Sequence, residues 1–109
     1  MPRDYKLQLD DILEAIKRIK EYTDNMAEDV FARDNKTQDA VIRNLEIIGE
    51  AARNLPDEIK NSCKEIEWQK IIALRNILIH EYFGVNVKIL WDIVTNKLEN
   101  IDTTCRKLY

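Results

Sequence analysis

The chain holds one histidine, His80, and it follows Arg75 and Asn76 in the stretch Ala73-Leu74-Arg75-Asn76-Ile77-Leu78-Ile79-His80-Glu81-Tyr82. An imidazole, with an ordinary pKa of about 6.5, can take or give a proton near neutrality. A guanidinium is charged at every physiological pH, and its planar fork matches two phosphate oxygens. Together they suit metal-free cleavage of RNA, where the 2′-OH of the RNA is the nucleophile and the protein need only move protons and steady a charged phosphorane. One histidine cannot be base and acid at once. A two-fold interface bringing two Arg75/His80 sets around one cleft would supply both. On a straight helix Asn76 and His80 share a face one turn apart, whereas Arg75 and His80 are separated by roughly 140° and 7.5 Å of rise. Asn76 could then orient the imidazole or contact the phosphate.

A plainer reading stands beside this one. A histidine near a helix C-terminus is a favourable partner for the helix dipole, and a helical arginine is often a surface charge. Other chemistries find fewer parts. Cys63 and Cys105 are far apart with no CxxC, which fits two reduced thiols better than a disulfide or a metal knuckle. No metal ligand cluster is legible, although scattered carboxylates such as Glu46 and Glu50 could hold a weakly bound ion. Ser62 is the single serine and has no histidine near it in sequence, and no glycine-rich phosphate loop is present. No cofactor is expected.

At 109 residues, 45% of them hydrophobic, the chain has the size and apolar content of one domain, residues 1–109, with a core of its own. Its net charge of −3 argues against coating nucleic acid through bulk electrostatics, so any RNA contact must be local. Lys and Arg are interleaved with acids throughout, the pattern of solvated helix faces. The mixed charges of residues 1–10 do not resemble a signal peptide, and no run of about eighteen apolar residues occurs, so a cytoplasmic protein without a membrane span is expected.

Two glycines and two prolines are too few for the turns of a many-stranded sheet. Leu9, Ile12, Leu13, Ile16, Ile19 and Tyr22 recur at three- and four-residue intervals and predict a helix from about Tyr5 to Met26. Capping residues between Arg33 and Thr37 precede a second helix, marked by Val41, Leu45, Ile48 and Ala52, that runs to about Leu55 before Pro56. Gly49 inside it suggests a close neighbouring helix. A short helix over Asp57–Cys63 and a third long one from about Glu67 to Tyr82, ended by Gly84, follow. Asn86 should cap a last helix carrying Val87, Leu90, Trp91, Val94, Leu98, Ile101, Cys105 and Leu108. The expected fold is all-α: an antiparallel up-and-down bundle of four long helices plus a short one. Because the third helix is apolar on more than one face, part of it should be buried against a second copy, giving a homodimer.

Arg75, four residues, then His80, with asparagine directly after the arginine, reproduces the R-x4-6-H motif of HEPN domains. His80-Glu81-Tyr82 extends it to the R-x4-H-x-Y form of HepT toxins. Arg43-Asn44-Leu45-Glu46-Ile47-Ile48-Gly49-Glu50-Ala51-Ala52 is similar to a second block of that family, so the resemblance covers nearly the whole chain. It implies a homodimeric, metal-independent endoribonuclease toxin with the two motif sets meeting at an interfacial cleft. It further implies an MntA-like nucleotidyltransferase antitoxin that uses ATP to attach AMP to the motif tyrosine, here Tyr82. Such a group would bring charge and bulk to a position two residues from the proposed base. The alternative is a non-catalytic helical companion of a nucleotidyltransferase.

Overall fold

The computed structural model describes residues 5–80 and 86–109. It is all-α: α1 (Lys6–Tyr22), α2 (Glu28–Arg33), α3 (Asn35–Asn54), α4 (Asp57–Ser62), α5 (Trp68–His80), α6 (Val87–Asp92), a π-helical stretch (Ile93–Lys97) and α7 (Leu98–Leu108). No strand occurs among the described residues.

The apolar stripes dictate how these helices meet. Leu9, Ile12, Ile16 and Ile19 of α1 are fully buried, each removal from water being worth about 1.5–3 kcal/mol. They meet Val41, Leu45, Ile48 and Ala52 of α3 on one side and Leu98, Ile101 and Cys105 of α7 on the other. Helix α3 in turn packs on α5. The first and last helices run antiparallel: the Tyr5 hydroxyl donates to the Leu108 carbonyl at 3.3 Å, while at the opposite end Lys20 pairs with Glu99 at 2.6 Å.

The caps fall where the sequence places them. Asp34 accepts from the Thr37 amide at 3.0 Å and from its hydroxyl at 2.6 Å, opening α3. These bonds hold the Asp34 carboxyl below the usual carboxylate range. Asn86 accepts from the Lys88 amide at 2.8 Å, opening α6.

Three details differ from the sequence expectation. Helix α1 ends at Tyr22 rather than near Met26, because Asn25 adopts φ 58°, a left-handed conformation in which a helix cannot continue. The segment before Arg33, for which the sequence predicts no element, holds the six-residue α2, anchored by fully buried Phe31 against Trp91, with ring centroids 5.0 Å apart. The last helix carries a π-helical stretch that its regular apolar spacing did not signal. The expected helix end at Gly84 lies outside the described residues. Among the described residues no helix is long and apolar enough to cross a membrane.

Candidate active site

Helix α5 carries the residues singled out above, and its start is fixed from both directions. The Trp68 indole N–H donates to the Cys63 carbonyl at 3.1 Å, and the Lys70 ammonium pairs with Glu67 at 2.9 Å, which keeps the Glu67 carboxyl below its ordinary range. Leu78 is buried in the core, Ile71, Ile72 and Leu74 are half-buried, and Ile77 is 49% exposed. The helix is thus seated along one edge and leaves apolar surface outside, as its two-faced sequence suggested.

Gly49 of α3 lets the two helices approach. A Cβ there would meet the Arg75 Cβ at 2.3 Å and the Ile71 carbonyl at 3.2 Å, so glycine is required by contact rather than by backbone angle. The close approach brings the base of the Arg75 side chain onto α3. Its guanidinium then reaches Glu50, one residue further on: Nη2 lies 2.9 Å from Glu50 Oε2. Nη1 donates to the Asn76 Oδ1 at 3.1 Å. The arginine is therefore tied at two of its nitrogens, by a carboxylate from a neighbouring helix and by the amide that follows it in sequence.

Glu50 is shared. The Asn54 amide donates to its other oxygen at 3.5 Å, and Arg53 stands 4.0 Å away. Its Oε2 is shielded from solvent and accepts no aligned hydrogen bond, so the Arg75 cation is what meets its charge. The carboxylate considered at the sequence level as a loose ion ligand is thus an arginine partner. Around the pair opens a polar recess of about 270 Å³, lined by Gln8, Asp11, Arg43, Glu46, Glu50 and Arg75 among others. A larger groove of about 420 Å³, with Leu45, Ile48, Ile71, Leu74 and Ile101 in its wall, contains none of the sequence-predicted site residues.

The structure therefore brings Arg75 and Asn76 together and adds Glu50 and Gly49, whose partnership with Arg75 sequence reading had not assigned. The signal for it was Gly49, a helix-interior glycine beside an acid. His80 is the last described residue of α5, five positions beyond Arg75 and roughly 7.5 Å along the axis. Tyr82, the residue the resemblance marks for modification, lies outside the described residues.

Residues 12–108 match the family model described as "HepT-like: Ribonuclease HepT-like". A protein of Methanocaldococcus jannaschii named "Putative RNase MJ0127" is 50% identical over 101 residues, covering 92% of this chain and 84% of that protein. One of Thermococcus cleftensis named "Probable ribonuclease HepT" is 44% identical over 108 residues, covering 99% of this chain and 98% of that protein. No solved structure matches. With a family match running from the first helix to the last and relatives of 44–50% identity along nearly the whole chain, the chain belongs to the HepT-like ribonuclease family.

Proposed function

We propose that this protein is a metal-independent endoribonuclease that cuts RNA by attack of its own 2′-OH, leaving a cyclic phosphate and a 5′-OH end. The observation that carries the reading is the guanidinium of Arg75, on the helix that bears His80, which lies 2.9 Å from a Glu50 oxygen of α3 and 3.1 Å from the Asn76 Oδ1. A cation with its plane set in advance is what a developing phosphorane needs, since no reorganisation is then required as charge builds. His80 moves the protons, and Asn76 supports by holding Arg75.

One imidazole per chain serves one proton transfer at a time, so the active unit is a homodimer in which two motif helices face one cleft. The outward Ile77 supports this, because a second copy would cover it. The off-switch is Tyr82. A nucleotidyltransferase partner attaches AMP there, at the expense of ATP, and the added phosphate repels RNA from the cleft.

Purified protein should cut single-stranded RNA in EDTA, and His80→Ala and Arg75→Ala should each lose the activity. Cutting by both variants at the parent rate would overturn the assignment. For the switch, the protein incubated with a cognate transferase and ATP should gain mass in units of AMP, and Tyr82→Phe should not. An equal gain in both would place the modification elsewhere.

A further inference from the structure

The acidic partner of Arg75 has no role in the chemistry as proposed so far, yet it is placed with more care than surface pairing requires. Glu50 Oε2 is hidden from solvent although the side chain as a whole is 44% exposed, Arg75 is 24% exposed, and the two meet at 2.9 Å across the α3–α5 seam. Pairs such as Arg18 with Glu14 and Arg33 with Asp29 lie within one helix with both side chains more than half exposed. Exposed pairs of that kind contribute little. The Glu50 pair joins two helices, as does the more exposed Lys20–Glu99 pair, and it is set apart by the adjacent Gly49, which admits the Arg75 Cβ.

A guanidinium has five N–H groups in one plane. Glu50 takes one terminal nitrogen and Asn76 the other, which sets the plane and leaves the remaining N–H groups for a phosphate. Loss of Glu50 would free the arm to rotate about its side-chain torsions, and the cation would have to be ordered anew in every turnover.

We infer that Glu50 is a positioning residue for Arg75: by its ion pair across the seam it fixes the guanidinium plane in which the scissile phosphate is received. This inference rests on the ribonuclease reading above. It concerns the transition state more than substrate capture, since removing an acid from the site should, by charge alone, favour RNA binding.

The test is single-turnover cleavage of an RNA oligonucleotide in EDTA with the full-length protein, comparing parent, Glu50→Gln, Glu50→Asp and Arg75→Lys, with thermal melting of each. The glutamine keeps shape and removes charge, and it should lower the chemical rate about tenfold or more while KM stays level or falls. The shorter aspartate retains the charge and should recover part of the rate. In the Arg75→Lys background, where no plane exists to be set, Glu50→Gln should change the rate less than about twofold. A Glu50→Gln protein that melts like the parent and cuts at the parent rate overturns the positioning role. So does an equal loss in both arginine and lysine backgrounds, which would mark Glu50 as acting through the fold. Should Arg75→Ala cut as fast as the parent, the ribonuclease reading of Arg75 falls and the positioning role falls with it. Should Arg75→Ala lose activity while Glu50→Gln keeps it, the positioning role falls alone.

Discussion

A methyl carbon placed on Gly49 would lie 2.3 Å from the Cβ of Arg75, a contact that neither partner can relieve by turning a flexible tip. In an open helix Gly→Ala stabilises by about 1 kcal/mol. Here the collision involves the root of a side chain and, at 3.2 Å, the backbone of Ile71. Gly49→Ala should therefore push α5 away and destabilise the protein by about 1–3 kcal/mol, read as a lower urea midpoint. RNA cleavage should fall further than the lost stability explains, because the arginine moves with its helix.

Ile77 stands out from α5 at 49% exposure and makes a mild place to introduce charge. Ile77→Lys should leave the melting temperature of the fold near that of the parent. Sedimentation equilibrium should report a dimer for the parent and a monomer for the variant, and cleavage should be lost. A variant that stays dimeric and active would place the dimer interface elsewhere.

Phe31 is fully buried in a helix of six residues, too short to hold its shape alone, and it meets Trp91 at 5.0 Å. Phe31→Ala should cost about 3–5 kcal/mol in denaturant unfolding and shift the tryptophan emission to the red.

Cys105 is fully buried, and that burial, with the nearby Asp102 charge and then Cys63 adding to it, pushes its thiol up to about 12. Iodoacetamide at pH 8 should label the half-buried Cys63 and leave Cys105 untouched until the protein is unfolded. The raised value also gives a sign. Below the ordinary value of 9.0 the thiol is neutral in both folded and unfolded chains, and its contribution to stability is intact. As pH rises from there toward 12, the unfolded chain ionises first and stability declines. A Cys105→Ala variant should show a shallower alkaline decline in unfolding midpoint than the parent.

The long helices and their caps at Asp34 and Asn86 were legible because each rests on residues within a few positions of one another, and a close approach at Gly49 was legible, though not its partner, because a glycine inside a helix is itself the signal. Arg75 and Asn76 were legible for the same reason, as neighbours on one helix. Glu50 as the partner of Arg75 was not, because the two lie twenty-five positions apart in sequence and only the packing of α3 on α5 joins them. Helix α2 escaped notice because six residues hold too little of a 3.6-residue period, leaving Phe31 as an isolated aromatic among charges. The π-helical stretch was hidden by the unbroken three-and-four spacing from Leu90 to Cys105, which is compatible with an ordinary helix.

That stretch divides the labour of the C-terminal rod. A turn closed by i→i+5 bonds takes in one residue more than its neighbours, so every side chain beyond Lys97 is swung by about 100° relative to an uninterrupted helix. Upstream, Leu90 and Trp91 answer to Phe31 and α3; downstream, Leu98, Ile101 and Cys105 answer to α1. Closing these same residues as ordinary α-helix would turn Leu98 and Cys105 off the first helix and unlatch the rod from the molecule's opening segment, whereas excising a single residue between Ile93 and Lys97 would absorb the extra turn and leave both side chains facing where they do.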